Sequence, residues 1–139
     1  MPDSKRGCFI DSNVLLYLAS GDAVKADRAE QIVRDGGTIS VQVLNEITNV
    51  ARRRMGLSWA ETDAFLSLIR GLLLVRPVTV EVHEAGLALA QRYGLSVYDA
   101  MIAAAALLDE AATLWSEDMQ HGMVLDGRLT IVNPFRAGG

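Results

Sequence analysis

The amino-acid sequence predicts an α/β fold built on a mainly parallel sheet of four or five strands. Short apolar runs alternate with longer amphipathic segments along the chain, a pattern typical of parallel strands joined by helical crossovers. Half of the 139 residues are hydrophobic and 22% are charged, which suits a folded domain with a sizeable core. Because a chain of this length leaves little room for two domains, we expect residues 1–139 to form one domain.

The predicted strands are short apolar runs bounded by charged or turn-forming residues. They cover residues 7–10, 38–41, 72–75, 113–115 and 129–132. Helices are expected between them, at residues 13–19, 23–34, 42–55, 59–70, 80–93 and 97–110. Ser58, Thr79 and Ser96 are the expected N-caps of the last three helices, and Glu61 completes a capping box with Ser58.

Two acidic residues follow predicted strands. Asp11 comes directly after the first strand, and Asp118 lies three residues after the fourth. Ligands of parallel α/β sheets bind beyond the carboxyl ends of the strands, near the point where strand order reverses. Asp11 could therefore be a metal ligand, or it could be the N-cap of the helix that follows. Asn13 could orient the Asp11 carboxylate or serve as the cap itself. Asp118 could belong to the same metal site, with Ser116 and Glu117 as helpers, or it could be an ordinary loop acid.

Two further acids lie on predicted helices. Glu46 falls at the rim of an inner face formed by Val43, Ile47, Val50 and Ala51, where it could reach a shared metal or pair with Arg53 on the surface. Asp99 falls in the first turn after Ser96, where a carboxylate stabilises exposed backbone amides. The helix that Asp99 begins is apolar on every side, so it should be buried, and a buried carboxylate needs a partner or a cation.

These four acids favour a particular class of metal. Carboxylates alone suit hard cations such as Mg²⁺ or Mn²⁺. His83 and His121 lie in structural or solvated positions and, like the single cysteine Cys8, form no zinc-binding pattern. The sequence contains neither a phosphate-binding P-loop nor a dinucleotide-binding glycine motif.

Composition and charge restrict the function further. The formal net charge of −4 argues against a protein that holds nucleic acid by bulk electrostatics, although Arg52, Arg53 and Arg54 could contact phosphates locally. No apolar run reaches the ~18 residues of a membrane span, and no signal peptide is recognised. We therefore expect a cytoplasmic protein without a membrane partner.

Four segments, taken in order, resemble the PIN-domain family, and within it the VapC-type toxins of bacterial toxin–antitoxin pairs. They are FIDSNVLLYL near the start, ISVQVLNE in the first third, SVYDAMIAAA before the last strands, and LWSEDMQHG with IVNPF at the end. The resemblance covers essentially the whole chain. It implies a three-layer α/β/α fold and an endoribonuclease that depends on Mg²⁺ or Mn²⁺.

The resemblance also assigns roles to individual residues and implies partners. Asp11, Glu46, Asp99 and Asp118 match the acidic positions of the family, and Asn13 and Ser116 match its polar helpers. Such toxins are usually homodimers that a small antitoxin neutralises. We expect Asp11 and Asp99 to be the primary metal ligands, with Glu46 and Asp118 binding directly or through water.

Two alternatives remain at this point. A phosphotransfer enzyme could use Asp11 as a covalent nucleophile, but it would carry a second acid at position 13, where this chain has Asn. A non-catalytic PIN-like module could bind RNA or protein without cutting it. The presence of all four acids argues against that module, because a decayed site need not keep them.

Overall fold

The computed structural model describes residues 7–136 and divides them into six strands, six α-helices and one 3-10 helix. The strands are β1 Cys8–Ile10, β2 Thr38–Ser40, β3 Leu74–Arg76, β4 Thr113–Trp115, β5 Val124–Leu125 and β6 Leu129–Val132. The helices are α1 Ser12–Leu16, α2 Ala23–Arg34, α3 Val41–Arg53, α4 Trp59–Leu72, α5 Val80–Tyr93 and α6 Val97–Leu108, and the 3-10 helix Tyr17–Ala19 follows α1.

The strands form one sheet in the order β3-β2-β1-β4-β6-β5. All neighbouring pairs are parallel except β5 and β6, which are antiparallel. From β1 the chain first adds β2 and β3 on one side, and later adds β4 and β6 on the other. Strand order therefore reverses between β1 and β4, and the carboxyl ends of these two strands mark the expected ligand site of such a sheet.

Helices cover both faces of the sheet and give the three-layer α/β/α architecture. Phe9 and Ile10 are neighbours in β1, so their side chains point to opposite faces, and both are completely buried. Helix α6 is buried along most of its length, from Ala100 to Leu107. It packs closely on α5, where a Cβ atom added at Gly86 would lie 2.6 Å from Met101 Sδ. Within residues 7–136 no helix is both long enough and apolar enough to cross a membrane.

The predicted elements agree with the structure to within two residues at each end, and one strand was not predicted. Strand β3 begins at Leu74 rather than at residue 72, because the helical spacing of Phe65, Ile69 and Leu73 keeps Leu72 in α4. The unpredicted strand is β5, which makes the sheet six-stranded instead of four- or five-stranded. It pairs with β6 through a turn in which Asp126 and Gly127 have positive φ angles of 52° and 66°, as the two central residues of a type I′ turn require.

Candidate functional site

Asp11 lies at the carboxyl end of β1, where its backbone N–H extends the ladder to Trp115 O at 2.9 Å. Its side chain is only 3% exposed. Oδ1 accepts a hydrogen bond from Ser12 N at 2.7 Å, so Asp11 is the N-cap of α1. Oδ2 accepts hydrogen bonds from Ser116 Oγ at 2.8 Å and from Asn13 Nδ2 at 3.1 Å. The carboxylate is therefore both a helix cap and a group whose orientation its neighbours determine.

Ser116 and Asn13 join the ends of the two central strands. Ser116 follows β4, is fully buried, and donates its backbone N–H to Val132 O at 3.0 Å. Its Oγ also accepts a hydrogen bond from Met119 N at 3.2 Å. Asn13 Oδ1 accepts the Glu117 N–H at 3.0 Å. Asn13 therefore orients the Asp11 carboxylate, which was one of its two expected roles.

Glu46 reaches this strand edge from α3. Its Oε1 accepts the Ser12 hydroxyl at 2.8 Å, and its Oε2 accepts Gln42 Nε2 at 3.0 Å. The alternative of a surface pair between Glu46 and Arg53 is wrong, since none of the ion pairs within residues 7–136 involves Glu46. Ser12 Oγ also lies 3.5 Å from Asp11 Oδ1, so one hydroxyl contacts two of the predicted acids.

Sequence reasoning did not identify Ser12 and Gln42 as parts of this site. Gln42 lies four residues before Glu46, a spacing that places two side chains on the same side of a helix and could have revealed it. Ser12 is adjacent to Asp11, but its contact with Glu46 joins residues 34 positions apart and has no local sequence signal.

Asp99 lies in the first turn of α6, where its backbone N–H donates to Ser96 Oγ at 3.2 Å. The expected helix-start role is therefore present. The side chain is only half-buried, although most of α6 is buried. Gln42 Nε2 also donates to Tyr98 O at 3.0 Å, which ties the start of α6 to the start of α3.

The pKa values of two carboxyls indicate how the four acids interact. Burial raises the pKa of Asp11 to about 6; hydrogen bonds from Ser116 and Ser12 oppose the rise, and the charges of Glu46 and Asp99 add to it. Burial also raises the pKa of Asp99 against its hydrogen bond with Ser96, and the charges of Asp118 and Glu46 raise it further. The four acids are thus close enough for their charges to repel one another.

Asp118 is exposed, whereas its neighbour Glu117 is held on both carboxylate oxygens. Glu117 Oε1 accepts the Tyr17 hydroxyl at 2.6 Å, and Oε2 accepts Lys25 Nζ at 2.6 Å. Burial alone would raise the pKa of Glu117, but the hydrogen bonds from Lys25 and Tyr17 lower it overall. Glu117 therefore anchors the loop that carries Asp118.

The chemistry of these four acidic side chains suits a hard divalent cation. The carboxylate atoms that could ligate a cation here are all oxygens. A cation would offset the cost of burying their charge, which is the main cause of the raised pKa values of Asp11 and Asp99, and also the smaller effect of repulsion between the acids. As the side chains stand within residues 7–136, no three His, Cys, Asp or Glu side chains form a ready ligand cluster. His121 takes a structural role, since its Nδ1 accepts the Asn133 N–H at 3.0 Å.

The three consecutive arginines differ in their surroundings. Arg52 donates to Leu57 O at 2.7 Å and lies over the Trp59 ring, 4.3 Å from its centroid. Arg53 and Arg54 are exposed and form none of the ion pairs found within residues 7–136. Of the three predicted RNA contacts, these two are therefore the accessible ones.

Several solved structures share this fold. A toxin–antitoxin complex from Klebsiella pneumoniae has a TM-score of 0.72 at 21% sequence identity, covering 92% of this chain and 98% of that one. VapC20 from Mycobacterium tuberculosis, described as a sarcin–ricin-loop-cleaving toxin, has a TM-score of 0.66 at 19% identity, covering 80% of this chain and 89% of that one. FitAcB from Neisseria gonorrhoeae has a TM-score of 0.62 at 16% identity, covering 92% and 98%.

Sequence comparison at the level of families agrees with the fold. No curated protein matches the chain in a direct sequence search. The family model of the PIN domain, in contrast, matches residues 8–121. This stretch includes the first four strands in chain order, β1 to β4, and all four acids. This match covers most of the chain, and it shows that the chain belongs to the PIN-domain family.

Proposed function

We propose that this protein is an endoribonuclease that depends on Mg²⁺ or Mn²⁺ and serves as the toxin of a bacterial type II toxin–antitoxin pair. One observation carries the proposal: the buried Asp11 carboxylate is held by three hydrogen bonds at the strand-order reversal, within electrostatic reach of Glu46 and Asp99. PIN-domain nucleases generally use divalent metal ions, which agrees with this oxygen-rich set. In this proposal, residues 1–139 form one nuclease domain.

In the proposed mechanism, Asp11 and Asp99 would be the primary ligands of a divalent cation, and Glu46 and Asp118 would bind it directly or through water. When bound, such a cation would supply a lowered pKa for the attacking water and stabilisation of the charge that develops on the phosphodiester. Ser12 and Gln42 hold the two oxygens of Glu46, while Ser116 and Asn13 hold Oδ2 of Asp11. This orients both carboxylates before substrate arrives, which reduces the reorganisation that catalysis requires.

Proton transfer has two candidate acceptors on this chain. Asp118 is exposed and is therefore accessible to a water that approaches with the substrate. Glu46 is half-buried, and both of its carboxylate oxygens already accept hydrogen bonds from Ser12 and Gln42, so they are less available to a new water. We therefore assign the larger part of proton acceptance to Asp118.

The toxin role rests on similarity of fold rather than on the site. One of the related structures is a toxin–antitoxin complex, so we infer a small antitoxin as partner. The homodimer is the assembly that the resemblance to VapC-type toxins implies. The cytoplasm remains the predicted location. We expect a short open reading frame directly upstream of the gene to encode this antitoxin, and co-expression of its product should rescue growth if the chain is such a toxin. Failure of that product both to bind the chain and to restore growth would contradict this assignment.

The nuclease activity can be tested with purified protein. Unlabelled RNAs that contain unpaired segments should be cut in Mg²⁺ or Mn²⁺, and cutting should stop in EDTA and in Asp99→Asn. Asn also suits a helix start, so this variant should keep the fold. Cutting that survives both EDTA and Asp99→Asn would contradict the mechanism. Intact RNA together with no Mn²⁺ binding would favour the alternative, a non-catalytic PIN-like module that binds RNA or protein.

A further inference from the structure

Three exposed apolar residues lie at the rim of the acidic site, where α3 and α6 begin. Val41 is 40% exposed, Val97 is 49% exposed and Tyr98 is 72% exposed. Val41 is the first residue of α3, and Val97 and Tyr98 are the first two residues of α6. Large apolar side chains this exposed beside a set of carboxylates are not explained by packing of the core or by metal binding.

The position of Tyr98 relative to the acids is well defined. Gln42 Nε2 donates to Tyr98 O and to Glu46 Oε2, both at 3.0 Å, so one amide nitrogen lies between the Tyr98 backbone and the Glu46 carboxylate. Tyr98 also directly precedes Asp99 in the chain. Its ring is therefore attached to a backbone segment that borders the proposed site of cleavage.

Because the chain carries a net negative charge, its affinity for RNA depends more on contacts that are not ionic. The formal net charge is −4, and the four acids lie close enough for their charges to act on one another, so the site repels an approaching phosphate backbone. Arg53 and Arg54 lie about two helical turns from Glu46, at the far end of α3. An aromatic ring beside the acids can add affinity by stacking on a base, which does not depend on the charge of the protein.

We propose that the Tyr98 ring is a stacking platform for one unpaired nucleobase next to the cleaved phosphodiester, with Val41 and Val97 against the edges of that base. The proposal rests on the proposed ribonuclease function and extends it by naming a residue of this chain that positions the substrate. A base in a duplex has both faces covered by its neighbours, whereas a base in a loop or an unpaired strand offers a free face.

Binding measured without cleavage tests this directly. A fluorescently labelled, unstructured RNA oligonucleotide is titrated in EDTA with the wild type, Tyr98→Phe, Tyr98→Ala and Leu74→Ala. Leu74 is the control because it is apolar and 61% exposed but lies far from the acids. It begins β3 and therefore lies at the amino ends of the parallel strands. We expect Tyr98→Ala to weaken binding about tenfold, and Tyr98→Phe and Leu74→Ala to bind as the wild type does.

The salt dependence separates stacking from charge. Tyr98→Ala should weaken binding by the same factor at low and high salt, whereas Arg53→Ala should lose most of its effect as salt rises. Equal binding by the wild type and Tyr98→Ala overturns the proposal, and so does a Tyr98→Phe variant as weak as Tyr98→Ala, since the hydroxyl and not the ring would then carry the contact. An effect of Tyr98→Ala on antitoxin binding alone would assign the ring to a protein contact and also overturn it.

Cleavage assays distinguish a failure of the proposed nuclease activity from a failure of the proposed Tyr98 stacking platform. If the wild type cuts single-stranded RNA in Mn²⁺ but Tyr98→Ala has an unchanged KM, the nuclease stands and the stacking platform fails. If the wild type cuts no RNA, the proposed function fails, while the binding titration still decides whether Tyr98 contacts a base. A raised KM with little change in kcat for Tyr98→Ala is the result expected if both hold.

Discussion

Ser12 donates its hydroxyl to Glu46 Oε1 at 2.8 Å, and this hydrogen bond connects a carboxylate on α3 to the residue that follows Asp11. The contact orients one carboxylate oxygen of Glu46 from the strand end, while Gln42 holds the other oxygen from the same helix. Glu46 is therefore part of the same hydrogen-bonded unit as Asp11, although 34 residues separate Ser12 from Glu46 in the chain.

Ser12→Ala should lower kcat/KM for RNA by about tenfold, because Glu46 loses one of the two donors that orient it. The cost in the free energy of unfolding should be about 1 kcal/mol. Ser58→Ala is a matched control, since it removes the N-cap of α4 at a similar cost of about 1 kcal/mol without touching the site. Equal activity losses in the two variants would show that stability, not orientation, controls the rate.

Asp11→Asn should change how stability depends on pH in EDTA. The pKa of Asp11 rises from 3.8 to about 6 on folding, so the native state holds this proton more tightly than the unfolded state does. The stabilising effect of the neutral carboxyl is complete below the unfolded pKa and is lost as pH rises through about 6. Relative to the wild type, Asp11→Asn should gain about 1 kcal/mol in the free energy of unfolding between roughly pH 5 and pH 7.5.

Urea unfolding at several pH values measures this effect, and Asp35→Asn, a change away from the site, is its control. A constant difference between wild type and Asp11→Asn across the pH range would mean that burial does not raise the pKa of Asp11.

Mn²⁺ should raise the Tm of the wild type, because an ion that binds only the folded state stabilises it in proportion to the logarithm of its concentration. At a concentration of about 100 times Kd the gain is about 2.7 kcal/mol. The Tm of Asp99→Asn should rise much less on addition of Mn²⁺. Thermal scans with increasing Mn²⁺ test this, and Ca²⁺ and Zn²⁺ provide the comparison. Identical shifts in the wild type and Asp99→Asn would place the bound ion elsewhere.

Glu117→Gln should weaken Mn²⁺ binding by about tenfold, because the residue anchors the loop of Asp118 through Lys25 and Tyr17. Lys25→Met should act in the same direction, since it removes the same ion pair from the other side. Glu30→Gln is the matched control, as it removes the exposed Glu30–Arg34 pair of α2. Calorimetric titration measures the affinities. If Glu30→Gln weakened Mn²⁺ binding equally, the cause would be the change in overall charge and not the loss of the anchor of the Asp118 loop.

The helices could be predicted because their signals are local. Ser58, Thr79 and Ser96 each accept a hydrogen bond from the backbone N–H three residues later, which is the pattern their spacing indicated. Strand β5 has only two residues, so it offers no periodicity. The Asp126–Gly127 pair was its one sequence signal.

The contacts within the site could not be predicted, because they depend on which strands become neighbours. Asp11 was identified by its place after a strand, but its hydrogen bond with Ser116 requires β1 to pair with β4. Similarly, the resemblance suggested that Glu46 belongs to the site, whereas its partners Ser12 and Gln42 became visible only when α3 was placed against the strand end. The role of Arg52 against Trp59 likewise depends on how α4 turns back onto α3.

The pairing of β1 with β4 has a consequence for protein synthesis. The hydrogen bond between Asp11 and Ser116 joins residues 105 positions apart. A growing chain therefore has no assembled site until β4 and the loop after it have left the ribosome. If the proposed ribonuclease function holds, the enzyme would stay harmless to its own message and ribosome until that point of its synthesis.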